Sequence, residues 1–215
     1  MGQSRYIAIE GPIGVGKSSL AKRLAGVLDG ELVLEDAGEN PFLERFYQDP
    51  RGSALPTQLF FMFQRVRQLE RLAQADMFSD TRISDFMMVK DQLFAQVNLD
   101  RDELALYEQI YGKLDFRPLI PDLVVYLQAP VDTLLYRISR RGIAYEKQIS
   151  RQYLEQLTDV YAQYFHKYNE SPLLIVNAAT IDPVNNDEHF EMLLEEINNT
   201  QSGRQFFNPL VYAIA

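Results

Sequence analysis

The stretch Gly11-Pro12-Ile13-Gly14-Val15-Gly16-Lys17-Ser18 reads G-x-x-x-x-G-K-S, and it constrains the fold more than any other part of the chain. A loop with that spacing holds a polyphosphate when a strand feeds it and a helix leaves it. Tyr6-Ile7-Ala8-Ile9-Glu10 is the short apolar run expected of the strand, and Leu20, Leu24, Val27 and Leu28 recur at the spacing expected of the helix. The glycines let backbone N–H groups face phosphate oxygens, and the helix N-terminus adds its partial positive charge. Lys17 is expected to reach the β- and γ-phosphates, Ser18 to hold Mg²⁺, and the cradle to run on through Ser19. The ligand implied is a nucleoside triphosphate. The open question is what receives its phosphate.

Composition bounds the answer. A chain of 215 residues that is 47% hydrophobic can bury a full core in one domain. Cysteine is absent, which excludes disulfides and thiolate chemistry. A net charge of −9 counts against broad binding to nucleic-acid polymer, which needs a basic face, but leaves room for a small phosphorylated ligand in a local basic pocket. No basic-plus-apolar leader or bilayer-length apolar run is seen, so a cytoplasmic protein with no membrane partner is expected.

Apolar runs near residues 6–10, 32–34, 81–85, 123–127 and 172–176 alternate with helical patterns, including a long one over 56–75. That alternation predicts an α/β fold, a five-stranded parallel sheet with helices on both faces. A single domain is expected over 1–199 with a short lid near 137–150. Residues 200–215 read as a tail poorly specified by itself. Ligands belong beyond the carboxyl ends of the strands. There Glu35 is a candidate general base, with Asp36 and Glu39 competing for the role. Asp85 is a candidate Mg²⁺-organising acid or a cap for the next helix. Arg137-Ile138-Ser139-Arg140-Arg141-Gly142 is a basic cluster able to close over phosphates, or else a solvated helix end. Phe63-Gln64 in the long helix offers a nucleobase partner, or a core Phe beside a surface Gln.

Taken together, these pieces resemble the deoxynucleoside kinase family from about Tyr6 to Ile197. The marks are the loop with Ile9-Glu10 before it, Glu39 to Tyr47, Phe63-Gln64, Asp91-Gln92-Leu93-Phe94-Ala95, Val125 to Pro130, and Arg140-Arg141-Gly142 through Glu146. The resemblance implies a P-loop kinase fold, ATP with Mg²⁺, and transfer of the γ-phosphate to a deoxynucleoside 5′-hydroxyl in nucleotide salvage. It implies Glu35 as base, Gln64 and Phe63 at the nucleobase, and Tyr47 and Glu146 on the sugar 3′-hydroxyl. Arg137 and Arg141 fall in the lid, and Asn177 to Asp182 near the donor adenine. Arg71, seven residues after Gln64, and Asp91 fall in the base pocket, which favours deoxyadenosine, deoxyguanosine or deoxycytidine over thymidine. A homodimer paired through helices is also implied. Two positions depart from the pattern: Phe86 follows Asp85 where family members often carry an arginine, and Ile143 stands where many have another in the lid. The alternatives are a thymidylate kinase-like monophosphate kinase and a nucleotide-binding regulatory protein without turnover.

Overall fold

Alternate residues of the first strand, β1 (Arg5–Glu10), point to opposite sides of a sheet, and both sides are apolar. A strand of that kind must be covered twice. In the computed structural model, which describes residues 5–50, 52–74 and 81–209, it lies near the middle of a six-stranded sheet. The other strands are β2 (Glu31–Val33), β3 (Thr81–Ser84), β4 (Leu123–Gln128), β5 (Leu173–Asn177) and β6 (Arg204–Phe207). Their order is β2-β3-β1-β4-β5-β6, and every pairing is parallel.

Ile7 and Ile9 face one core together with Val125 and Leu174. That core is closed by α1 (Lys17–Leu28) through Leu20 and Leu24, by α6 (Val131–Arg141) through Leu134 and Ile138, and by α8 (Asp187–Asn199) through Phe190 and Leu193. Tyr6 and Ala8 face the other core with Val124 and Tyr126. There α3 (Ala54–Gln74) supplies Met62 and Leu69, α4 (Val89–Asn98) supplies Leu93, and α7 (Arg151–Lys167) supplies Tyr161 and Phe165. The expected α/β architecture is therefore present. The end expected for the long helix, residue 75, lies outside the described residues.

The sheet has six strands rather than the five expected. Part of the segment read as an unstructured tail is β6, registered from Leu173↔Arg204 to Val176↔Phe207. Its order comes from long-range contacts. Phe207 is buried in the first core, and Arg204 donates to the carbonyls of Phe165, His166 and Tyr168 at the end of α7. A guanidinium at a helix C-terminus satisfies carbonyls that the helix itself cannot. Residues 210–215 of the expected tail lie outside the described residues.

Candidate active site

The glycine loop connects β1 to α1 across the carboxyl edge of the sheet, as the motif requires. Gly11 has φ +145°, and a Cβ there would lie 2.5 Å from the carbonyl oxygen of Leu127. Gly14 has φ +83°, and its Cβ would lie 2.8 Å from the Ile138 side chain. Only glycine meets both demands. Val15 is buried and pins the loop, while Ser18 and Ser19 remain exposed at the helix start. Lys17 is folded back over the loop and donates to the carbonyls of Gly11 (2.8 Å) and Pro12 (3.0 Å). Burial, with the nearby Lys90 ammonium, brings Lys17 down to about 8. Beneath the loop, fully buried Glu10 accepts from the backbone N–H groups of Gly11 (3.1 Å) and Met87 (2.6 Å) and from the Tyr161 hydroxyl (3.1 Å). Burial pushes its carboxyl upward.

Asp85, just past β3, ties three strand ends together. Its carboxylate accepts from the Ser18 hydroxyl and from the backbone N–H of Glu35 (2.8 Å). Ser18 and Asp85 thus present two hard oxygen donors side by side at the start of α1, a set that suits Mg²⁺ with phosphate and water completing its shell. No cluster of three or more acidic or histidine ligands exists among the described residues.

Glu35 separates itself from its two rivals. Asp36 and Glu39 are exposed, and Asp36 caps a short turn by accepting from the N–H of Gly38. Glu35 instead lines a cavity of about 330 Å³ that also exposes Lys17, Ser18 and Asp85. Its Oε1 accepts from Arg65 Nε (2.8 Å) and Nη2 (2.6 Å), and its Oε2 from Lys90 Nζ (2.5 Å). Burial acts upward on this carboxyl, but the Arg65 and Lys90 charges outweigh it and hold it at about 2.

The α3 residues expected at a nucleobase do not line this cavity. Phe63 is 46% exposed on the outer face of α3, and Arg71 is exposed one stretch further on; neither lines the cavity. Gln64 is buried, but its amide is turned to the Asp36 carbonyl and the Glu39 carboxylate, both at 3.0 Å, outside the cavity wall. The lining residues of α3 are Thr57, Gln58, Phe61 and Arg65. Gln58 and Arg65 are seven residues apart, as Gln64 and Arg71 are, so both pairs share a helical face. A shift of six residues turns that face by about 120°, and spacing alone cannot choose between the two. Asp91 settles it. Fully buried behind the wall, it accepts from Arg65, from Gln58 Nε2 (2.8 Å) and from the Tyr107 hydroxyl (2.6 Å). Burial pushes its carboxyl upward even though it shares the Arg65 guanidinium with Glu35. Asp91, expected in the pocket, does not line it and instead supports Gln58 and Arg65 from behind.

Gln58, Arg65 and Lys90 went unrecognised in the sequence. A signal existed: each is a polar or cationic residue within an otherwise apolar helical stripe, and such residues are buried only when partnered.

Tyr47 and Glu146 line the cavity as expected. Tyr47 stacks on Tyr145 with centroids 5.7 Å apart. Glu146 takes a bidentate pair from Arg141, 2.9 Å from Nε and 2.7 Å from Nη2. Ile143 lines the same wall and gives this end an apolar residue. Arg141 also borders a second cavity of about 630 Å³ on the other side of the loop, with Arg137, Ser19 and Asp182. Arg137 donates to the carbonyls of Val15 (2.9 Å) and Ala178 (2.7 Å), joining the loop to the turn after β5. Asp182 shapes that turn by accepting from the N–H groups of Val184 and Asn185. Asn177 is not on this cavity. Its side chain accepts from Ala179 N–H (3.1 Å), approaches Asn208 (3.4 Å) and lines a separate shallow cleft.

The family model described as deoxynucleoside kinase matches residues 7–201. Among curated relatives, a deoxyguanosine kinase of Bacillus subtilis is 32% identical over 92% of this chain and 98% of its own length. A deoxyadenosine/deoxycytidine kinase of the same organism is 28% identical over 91% of this chain and 92% of its own length. Among solved structures, deoxyadenosine kinase from M. mycoides with dCMP and dCDP bound superposes with a TM-score of 0.80 at 27% identity, covering 90% of this chain and 99% of that one. The same enzyme with dATP bound gives a TM-score of 0.79.

Proposed function

The chain belongs to the deoxynucleoside kinase family, and from that premise we propose that it moves the γ-phosphate of ATP to the 5′-hydroxyl of deoxyadenosine, deoxyguanosine or deoxycytidine. The observation that carries this reading is the single cavity that exposes the phosphate loop at one end and Gln58 and Arg65 at the other, with Glu35 between them. A nucleoside laid along it puts its base on the helix α3 wall and its 5′-hydroxyl at Glu35.

Each residue's part follows from its chemistry. Gln58 spends its amide N–H groups on Asp91 and so offers its amide oxygen as an acceptor for a base edge, and Arg65 adds donors aimed by Asp91. Phe61 offers a face for the ring. Tyr47 and Glu146 present a hydroxyl and a carboxylate to the sugar. Glu35, ionised throughout the neutral range, accepts the proton of the 5′-hydroxyl as the oxygen attacks. Its low pKa makes it a modest base, which suits a loose transition state in which the proton leaves late. On the donor side the backbone of Gly11 to Ser19 and Lys17 take the phosphates, Arg137 and Arg141 close over them, and Asp182 borders the base. Ser18 and Asp85 would hold Mg²⁺, whose charge would offset that of the phosphates when bound.

The base preference is argued from Arg65 and Asp91 rather than from Arg71. The pair supplies donors for a ring acceptor and sits with Gln58, a set suited to bases that carry an exocyclic amine. A homodimer belongs to the same proposal; Leu106 on α5 (Arg101–Tyr111) is 46% exposed and gives a partner apolar surface to cover. No helix among the described residues is long and apolar enough to cross a membrane.

The test is phosphate transfer from ATP·Mg²⁺ to deoxyadenosine, deoxyguanosine, deoxycytidine and thymidine. The expected result is 5′-monophosphate from one or more of the first three. Thymidine as the best acceptor would discard the base-pocket argument and keep the kinase. ATP binding with no transfer to any of the four would discard the kinase.

A further inference from the structure

We propose that Lys90 is a catalytic residue of this site: the cation that takes up charge on the transferring phosphoryl group as Glu35 is protonated. This rests on the kinase reading and goes beyond it. The position after Asp85, where a cation at the strand end would stand, is Phe86, which is fully buried in the core. Four cations line the acceptor cavity: Lys17, Arg65, Lys90 and Arg141. Arg65 is committed to Glu35 and Asp91, and Arg141 to Glu146. Lys17 is folded onto its own loop. Lys90 opens α4 and is only 6% exposed, yet its ammonium makes one hydrogen bond among the described residues, to Glu35 Oε2. An ammonium has three donors, so two are left for a ligand. The Phe94 ring lies 5.7 Å from Nζ and backs the side chain.

Lys90 is close enough to Lys17 to disfavour the Lys17 charge, and a site that converges two ammoniums favours an anion between them. Phosphoryl transfer would bring one there. The O5′–P bond forms and the bond from that phosphorus to the β-phosphate oxygen breaks. The 5′-hydroxyl proton passes to Glu35, and ADP and the 5′-monophosphate leave. Lys90 keeps its three protons throughout. Before the step its charge is offset by the Glu35 carboxylate. Once Glu35 is neutral, that charge is free for the phosphoryl oxygens, so the interaction strengthens in the transition state relative to the ground state.

The experiment compares wild type, Lys90→Met and Lys90→Arg in steady-state transfer from ATP to the best acceptor across pH, with ATP binding and thermal unfolding measured on each. The expected result is a fall in kcat of about 100-fold for Lys90→Met, with ATP affinity changed by no more than about threefold. Lys90→Arg should recover at least about tenfold of that loss. A Lys90→Met kcat within about threefold of wild type overturns the proposal. So does a loss that Lys90→Arg does not restore, since that is the signature of damaged packing. A wild type that transfers no phosphate overturns the kinase reading and this inference together, whereas an active wild type with an equally active Lys90→Met overturns this inference alone.

Discussion

On the donor side, the phosphate cradle comes from one contiguous stretch, Gly11 to Ser19, held by its own backbone geometry and by a few carbonyl contacts. On the acceptor side, the wall is assembled from residues far apart in the chain: Glu35 after β2, Gln58 and Arg65 on α3, Lys90 and Asp91 on α4, and Tyr107 on α5. The first region is a local solution to binding phosphate. The second is one buried network in which a guanidinium serves two carboxylates and one carboxylate serves two cations. A local motif tolerates change in its surroundings. A shared network does not, because removing one member leaves another charge buried and unpaired.

That contrast is breakable by substitution. The largest effect is expected from Lys17→Ala, which should lower kcat/KM by about three orders of magnitude while leaving thermal stability nearly unchanged; kinetics close to wild type would remove the phosphate loop from the reaction. Glu35→Gln should lower kcat by about two orders of magnitude with ATP binding intact by calorimetry. A variant that keeps its turnover would pass the base role to Asp85, since Asp36 is exposed and occupied with its own turn.

Stability should separate the two registers of α3. Arg65→Ala leaves Asp91 without its cation and Glu35 with Lys90 alone, and is expected to cost about 3–5 kcal/mol in chemical denaturation. Arg71→Ala, on the exposed face, should change stability by less than about 0.5 kcal/mol and leave acceptor kinetics alone. Equal effects of the two would mean that the helix faces the cavity differently.

The smallest effect is a pH dependence. Glu35 has a folded pKa of about 2 against an ordinary 4.5. A lowered folded pKa contributes stability that is fully present above the ordinary value and is lost as pH falls through the folded one. The difference in melting temperature between wild type and Glu35→Gln should therefore be constant above about pH 5 and shrink between about pH 4.5 and 2. A difference that stays flat over that window would argue against the charge clamp.

How much of this could be read in the chain follows the same division. Strand alternation, the two-sided core of β1 and the whole phosphate cradle were legible, because each depends on periodicity or on conformations that glycine alone adopts. Glu35, Tyr47 and Glu146 line the cavity, and Asp91 stands behind its wall. Phe63, Gln64 and Arg71, singled out on α3, do not line that cavity, whereas Gln58 and Arg65, a second Gln–Arg pair with the same seven-residue spacing on one helix, do. Asn177 was set beside the donor cavity but turns away from it. β6 was missed because an edge strand with one buried anchor, Phe207, carries almost no periodic signal.

The sequence by itself pointed to a phosphate loop in Gly11 to Ser18, since the glycine spacing sets the backbone conformation there. Only the tertiary structure decided which face of α3 lines the cavity, that Glu35 lines it while Asp36 and Glu39 do not, and that Lys90 reaches Glu35 from 55 residues away. Those choices depend on what each side chain meets across the fold. Burial of charge is costly unless a partner is present, and the partner's position is a property of packing, not of spacing along the chain.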